Sequence, residues 1–243
     1  MRRIGQILLS GGLDSTTLAA LARKETDELL ALTLNYGQRH AIELQAAQKV
    51  AAALDLSHRE IDVRFYRGLA AHSALTDSAR FALPSGRTPD EIATGIPVTY
   101  VPLRNTFFLT LAAARLESRV LQAIESEGAA ASDIDPVLYI AANALDYSGY
   151  PDCRPEFYAA AAETLRLGSK IGTQYGCPIR IATPLIDKTK ADIVRLGTSL
   201  GAPLHLSWSC YTPGPTPCGQ CDSCLLRAKG FAEAGIADPA ISG

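Results

Sequence analysis

The stretch IGQILLSGGLDSTTLAALAR, residues 4–23, constrains the fold more than any other. Its first part, IGQILLS (4–10), is a short continuous apolar run and reads as a buried strand. Its last part, from about Asp14 to Arg23, reads as a helix, and SGGLDS (10–15) forms the turn between them. A buried strand that turns sharply into a helix is a unit of an open α/β sheet, where ligands bind at the carboxyl ends of the strands. Gly11 and Gly12 let backbone N–H groups approach an anion closely. Ser10, Ser15, Thr16 and Thr17 add hydroxyls, and the helix N-terminus adds the positive end of its dipole. The turn is therefore suited to a pyrophosphate. It matches neither G-x-x-x-x-G-K-[ST] nor G-x-G-x-x-G.

The alternation continues along the chain. LLALTLNY (29–36) reads as a second strand, residues 42–54 as an Ala-rich helix and REIDV (59–63) as a third strand. Residues 64–100 are irregular and predict a loop or lid over the sheet edge. A helix is expected over 105–115, a fourth strand over 137–143, a helix over 156–167, a short fifth strand over 178–181, and a helix over 190–201 that Gly201 stops in a left-handed cap. A short helix runs through Arg227 and Phe231. Strand and helix in turn predict an α/β fold, a parallel-sheet, Rossmann-like domain covered by helices. The division expected is a nucleotide-binding catalytic domain over 1–205 and a small cysteine-bearing segment over 206–243.

The formal net charge, 23 basic against 25 acidic residues or −2, implies no basic face, so nucleic acid is an unfavoured partner. No run approaches the ~18 apolar residues of a membrane span, and the start lacks the pattern of a secretory leader. The chain reads as cytoplasmic, where disulfides are unfavoured. Cys210, Cys218, Cys221 and Cys224, spaced C-x7-C-x2-C-x2-C, then read as a metal site. Four thiolates suit a structural zinc with no open coordination position; an iron–sulfur cluster uses the same ligands.

The Ser-Gly-Gly-x-Asp-Ser turn resembles the PP-loop of ATP pyrophosphatases. Taken with YGQRH (36–40), VPLRNTFFL (101–109), NALDYSGYPDCRPEF (143–157), TPLIDKTKADI (183–193), SWSC (207–210) and the cysteine end, the chain resembles the 7-cyano-7-deazaguanine synthase family of queuosine biosynthesis over nearly its whole length. The resemblance implies that 7-carboxy-7-deazaguanine, ammonia and ATP are converted to the nitrile through an adenylated acid and an amide. It also implies Mg²⁺, one structural zinc on the four cysteines, and a homodimer.

On that basis Leu9, Ser10, Gly11, Gly12, Leu13, Asp14, Ser15, Thr16, Thr17, Leu18 and Ala19 are expected to hold ATP, with Asp14 near Mg²⁺. Asp14, Ser15 and Arg104 are the candidate catalytic residues, Arg104 as a clamp on ATP or on the substrate carboxylate. Lys188, and with it Lys190, is a phosphate candidate. His40, Asp146, Tyr147, Tyr150, Asp152 and Arg154 are expected around the deazaguanine. His58, His72 and His205 read as surface or satisfied core residues, and Cys153 and Cys177 as packing.

Residues 117–135 depart from the family pattern. They read as an insert forming an exposed helix extension. That insert motivates a second reading, a ligase that activates the same acid but joins it to another amine, such as one on a protein. A PP-loop enzyme acting on tRNA and a nucleotide-binding module without catalysis are further alternatives.

Overall fold

The computed structural model describes residues 1–37, 41–77, 79–82, 95–143, 150–212 and 214–241. Among them, five strands form one sheet in the order β3-β2-β1-β4-β5. They are β1 (Arg2–Leu8), β2 (Glu28–Asn35), β3 (Ser57–Asp62), β4 (Ile134–Tyr139) and β5 (Arg180–Ala182). Every pairing is parallel. The chain moves outward from β1 to β3, then returns to place β4 on the other side of β1. The strand order thus reverses between β1 and β4, which is where open α/β sheets bind ligands.

The helices are α1 (Leu13–Glu25), α2 (Ala41–Ala53), α3 (Tyr66–Leu69), α4 (Arg104–Glu125), α5 (Pro155–Gly168), α6 (Lys170–Thr173), α7 (Lys190–Leu200) and α8 (Asp222–Ala234). Alternate strand residues feed two cores, as the period of two requires. Ile4, Leu32 and Leu138 pack with Leu109 and Leu116 of α4 and with Tyr158 of α5. Ile7, Ala31 and Val137 face the other way, onto Leu18 of α1, Val50 of α2, Ile193 of α7 and Phe231 of α8. Strands apolar on both faces are what a sheet buried on both sides needs.

Three helices on the second face stack by close approach. A Cβ on Gly197 of α7 would lie 2.6 Å from Thr17 Oγ1, and one on Gly230 of α8 would lie 2.4 Å from Lys190 Cγ. The C-terminal helix thereby sits against the stem of Lys190, and α7 against α1. Gly201 ends α7 with φ 68°, the expected left-handed cap. His58 shares a 2.8 Å hydrogen bond with Thr33 Oγ1, which makes it a satisfied residue of the sheet.

Three elements differ from expectation. The helix expected to end at 115 runs on to Glu125, and β4 begins at Ile134, three residues before the predicted start. The segment 117–135 does extend the helix, to Glu125, and residues 125–128 are exposed, but the extension is not exposed along its apolar stripe. Val120 and Ala123 are fully buried in the first core, and Ile134 is 5% exposed. Arg119 binds Glu28 and Glu127, tying the helix end to the sheet. The charged face of an amphipathic helix had masked its apolar stripe. The irregular region contains the short α3, whose Tyr66 stacks on Phe107 with ring centroids 4.6 Å apart.

Candidate active site

The turn after β1 is built as an open helix end. Gly11 adopts φ 82°, and a Cβ there would come within 2.6 Å of Ala47 N and 2.7 Å of Glu43 O, so the loop is pressed against α2. Gly12 is the N-cap of α1 and supplies no side chain to its first N–H groups. Those donors, together with the helix dipole, face the carboxyl edge of the sheet. Ser10 Oγ and Ser15 Oγ lie 3.0 Å apart, and Gly12 N donates to Ser10 Oγ at 3.3 Å.

The loop opens on a cavity of about 360 Å³. Leu9, Ser10, Gly12, Leu13, Asp14 and Ser15 line it. Thr16, Thr17, Leu18 and Ala19 do not: all four are fully buried, and Leu18 and Ala19 belong to the core beneath α1. Opposite the loop, the start of α7 brings Lys190 in, and its Nζ donates to both oxygens of Asp14 at 2.8–2.9 Å. Lys188 is not on the cavity wall; its carbonyl accepts from Asn143 Nδ2 at 2.7 Å. Of the two lysines, Lys190 is the one at the loop.

Arg104 opens α4 and lines the cavity. Leu103 before it takes φ 52°, unusual for a non-glycine residue, and its side chain is turned out to solvent. The guanidinium lies over the Tyr36 ring, 5.8 Å from its centroid. Burial pulls the Arg104 pKa down, but Tyr36, Tyr150, Asp152 and Tyr211 outweigh it and the net shift is upward, so the cation is held. Glu43 of α2 joins the same wall. Burial pushes its carboxyl up to about 7, against the opposing pull of Arg104. Sequence reasoning missed Glu43; its signal is a lone carboxylate on an otherwise Ala-rich helix, three residues after His40.

Tyr150, Cys153 and Tyr158 complete this side of the cavity. Tyr150 is buried, with its hydroxyl 2.7 Å from Thr99 Oγ1. Cys153 is buried enough that its thiol is pushed up to about 12, so it stays protonated at neutral pH. Asp152 lies just behind the wall; burial raises its carboxyl, and its Oδ1 has no hydrogen-bond partner. The Tyr158 hydroxyl is likewise buried without one. Arg154 is exposed as the N-cap of α5 and does not line the cavity. His40, Asp146 and Tyr147 lie outside the described residues.

The cysteine segment closes the third side. The sulfurs of Cys210, Cys218, Cys221 and Cys224 lie within 4.8 Å of one another, and Cys218 and Cys224 are 4.0 Å apart. Backbone N–H groups of Thr212 and Cys218 donate to Cys210 Sγ at 3.3 Å, and those of Gln220 and Cys221 to Cys218 Sγ at 3.4–3.5 Å. Donors aimed at sulfur favour thiolates. A hydrogen bond from Cys224, helped by backbone N–H groups, holds the Cys221 thiol below the usual thiol range. Trp208 N donates to Gly11 O at 2.8 Å. Trp208, Ser209, Tyr211 and Arg227 line the cavity beside the loop. Arg227 is itself 5% exposed, paired with Asp238 at 2.6 Å and donating to Ser207 Oγ at 2.9 Å.

Comparison with known proteins identifies the family. The family model described as Queuosine biosynthesis protein QueC matches residues 6–235. A protein of Syntrophus aciditrophicus (strain SB) named 7-cyano-7-deazaguanine synthase is 48% identical over 97% of this chain and 96% of its own. One of the same name from Paramagnetospirillum magneticum is 47% identical over 96% of each chain. Another from Solidesulfovibrio magneticus is 50% identical over 96% of this chain and 93% of its own. No helix among the described residues is long and apolar enough to cross a membrane. With a family model that matches residues 6–235 and relatives 47–50% identical over nearly the whole chain, the protein belongs to the QueC family of queuosine biosynthesis proteins.

Proposed function

We propose that the chain converts 7-carboxy-7-deazaguanine, ammonia and ATP to 7-cyano-7-deazaguanine. The observation that carries the proposal is the near full-length match to relatives of that name, joined to an uncapped helix N-terminus at the strand-order reversal. A carboxylate resists ammonia because its oxygen is a poor leaving group, and transfer of an adenylyl group from ATP makes it a good one. The Ser10–Ser15 loop holds the phosphates through its N–H groups and hydroxyls. Lys190 supplies positive charge where the leaving pyrophosphate gathers negative charge. Arg104 orients the substrate carboxylate at the α-phosphate. The purine analogue lies towards Tyr150 and Asp152, where aromatic faces and a buried oxygen without a partner receive it. Attack by ammonia gives the amide, and a second activation of the amide oxygen permits its loss as the nitrile forms.

Four sulfurs at these separations fit one tetrahedral zinc. Zn–S bonds of ~2.3 Å imply S–S edges of roughly 3.8 Å, and the observed spread needs only small closure. Such a zinc would hold the segment together and supply no reaction step. Mg²⁺ would enter with ATP, and Asp14 is the carboxylate at hand for it. The reading includes a homodimer, a cytoplasmic setting and a division at residue 205. In that division the segment 206–243 is an appendage that completes the catalytic domain, since Phe231 packs in its core.

The reading in which another amine, such as one on a protein, accepts the acid rested on an exposed insert. Burial of Val120 and Ala123 removes that support. The decisive experiment incubates the purified protein with ATP, Mg²⁺, ammonium and the acid, and follows small molecules and protein together by mass spectrometry. Appearance of the nitrile with AMP is expected. An amide that accumulates, or an acyl adduct on the protein, would overturn the proposal.

A further inference from the structure

Amide formation from ammonia and the later collapse of the activated amide to the nitrile both need a group that moves protons. At neutral pH ammonia arrives as ammonium, which has no lone pair to attack with. Formation of the nitrile also requires removal of the last N–H proton. Among the described residues that line the cavity, the carboxylates are Asp14 and Glu43. Asp14 is held at both oxygens by Lys190. The Cys153 thiol and the Tyr36, Tyr150 and Tyr158 phenols are all pushed up by burial and stay protonated. Arg104 and Arg227 are cations without a proton to give or take at this pH.

Glu43 stands apart from these groups. It lies on the first turns of α2, and its backbone oxygen packs on Gly11, so the carboxylate is placed beside the phosphate loop. The groups facing it are Tyr36 at the end of β2 and Arg104 at the start of α4; Asp14 and Lys190 lie in the same cavity from α1 and α7. A positive Arg104 can hold the substrate carboxylate while the neighbouring Glu43 meets the incoming nitrogen.

We propose that Glu43 is the proton-transfer residue of the ammonia steps, an inference that rests on the function proposed above. Ammonium gives one proton to the Glu43 carboxylate. The freed lone pair attacks the acyl carbon, the C–O bond to AMP breaks with the electron pair leaving on AMP, and the extra N–H proton and the proton taken up by Glu43 both pass to solvent, which restores the carboxylate for the second stage. In the second stage the amide oxygen attacks the α-phosphorus of another ATP, pyrophosphate leaves, and one N–H proton is lost. Elimination then gives the last N–H proton to Glu43 as the C≡N bond forms and AMP departs with the C–O electron pair. Burial that sets this carboxyl near neutrality lets it act in both directions at working pH.

The test separates acid activation from proton transfer in Glu43→Gln. Activation is read by exchange of labelled pyrophosphate into ATP that depends on 7-carboxy-7-deazaguanine. Amide and nitrile formation is read with ammonium, and hydroxamate formation with hydroxylamine, which is largely neutral at pH 7 and needs no base to expose its lone pair. The variant is expected to keep exchange and hydroxamate formation within about threefold of the native enzyme. Its use of ammonium should fall roughly 10²–10⁴-fold, the usual range for a lost acid–base group. At fixed total ammonium the native rate should rise with pH and level off above about 7, whereas the variant, limited to free ammonia, should keep rising without that plateau. Parallel loss of exchange and ammonium use, or ammonium use kept within threefold, would overturn the proposal. If Glu43→Gln does not fold, Glu43→Asp takes its place, and its use of ammonium should fall while its pH profile still levels off as a titrating carboxylate requires. Native protein that shows no acid-dependent exchange fails the proposed function itself, whatever the variants do.

Discussion

Trp208 donates its backbone N–H to the carbonyl oxygen of Gly11 at 2.8 Å, joining the cysteine segment directly to the phosphate loop. The loop's shape therefore depends on whatever holds residues 208–224 in place. Removing the proposed zinc, or replacing Cys221 with Ser, should weaken ATP binding at least tenfold although no cysteine need touch ATP. Isothermal titration before and after chelation checks this. The same treatment should cost about 3 kcal/mol, lowering the melting temperature by roughly 6–12 °C for a chain of this size. Elemental analysis should find one zinc per chain.

Gly11→Ala should be among the most damaging single changes. The position has φ 82°, and the added methyl would meet the backbone of Ala47 at 2.6 Å and of Glu43 at 2.7 Å. A left-handed alanine costs about 1–2 kcal/mol, and overpacking adds about 1–3 kcal/mol. Urea unfolding should show a loss of about 3 kcal/mol, and nucleotide binding should be lost with it.

Lys190→Met keeps the stem that packs on Gly230 but deletes the ammonium. Asp14 then keeps a partly buried charge with no cation on it; the two side chains are 20% and 9% exposed. The stability loss should be about 2 kcal/mol, less than for a fully buried pair. ATP affinity should fall tenfold or more, and differential scanning fluorimetry with and without ATP separates the two effects.

Glu43 should leave a signature in stability as well as in rate. Its folded pKa is raised from 4.5 to about 7. Below about pH 4.5 the carboxyl is protonated in both states and costs nothing. As pH rises, the unfolded chain ionises first and the native state loses stability, fully so above about pH 7. Glu43→Gln should therefore be more stable than the native protein at pH 8, by on the order of 2 kcal/mol. The gap should be much smaller at pH 5. Denaturant titrations at the two pH values read the sign.

Val120 and Ser118 test the extended α4. Val120 is fully buried and Ser118 exposed. Val120→Ala should cost about 2 kcal/mol, whereas Ser118→Ala should stay within about 0.5 kcal/mol. Thermal melts of the two variants suffice.

What could be read from the chain in advance was whatever declares itself locally. A Gly-Gly turn between an apolar run and a helix, and four thiols in fifteen residues, carry their chemistry in their spacing. Lys190 against Asp14 is separated by 176 positions, and only the packing of α7 on α1 joins them. Lys188 and Lys190 look alike in sequence; the capping box at Thr189 sets the phase of α7 that turns the second one inward. Glu43 was invisible because one acid on an Ala-rich helix has no local meaning until the α2 crossover lays it against Gly11. The start of β4 was hidden by Asp133 and Asp135, charged neighbours of a buried isoleucine. Asp135 is spoken for by Arg3 and Arg180, one strand away on either side.

The stacking of α8 on Lys190, and of α7 on Thr17, has a consequence for synthesis on the ribosome. The phosphate loop leaves the exit tunnel more than two hundred residues before Gly230. Until α8 has emerged, Lys190 lacks the surface that seats its stem, and Gly11 waits for Trp208. The nascent chain can pair β1, β2 and β3 early, but the loop and Lys190 cannot reach the arrangement seen here until α8 has emerged. Nucleotide capture thus becomes a reporter of completed folding rather than an aid to its first steps.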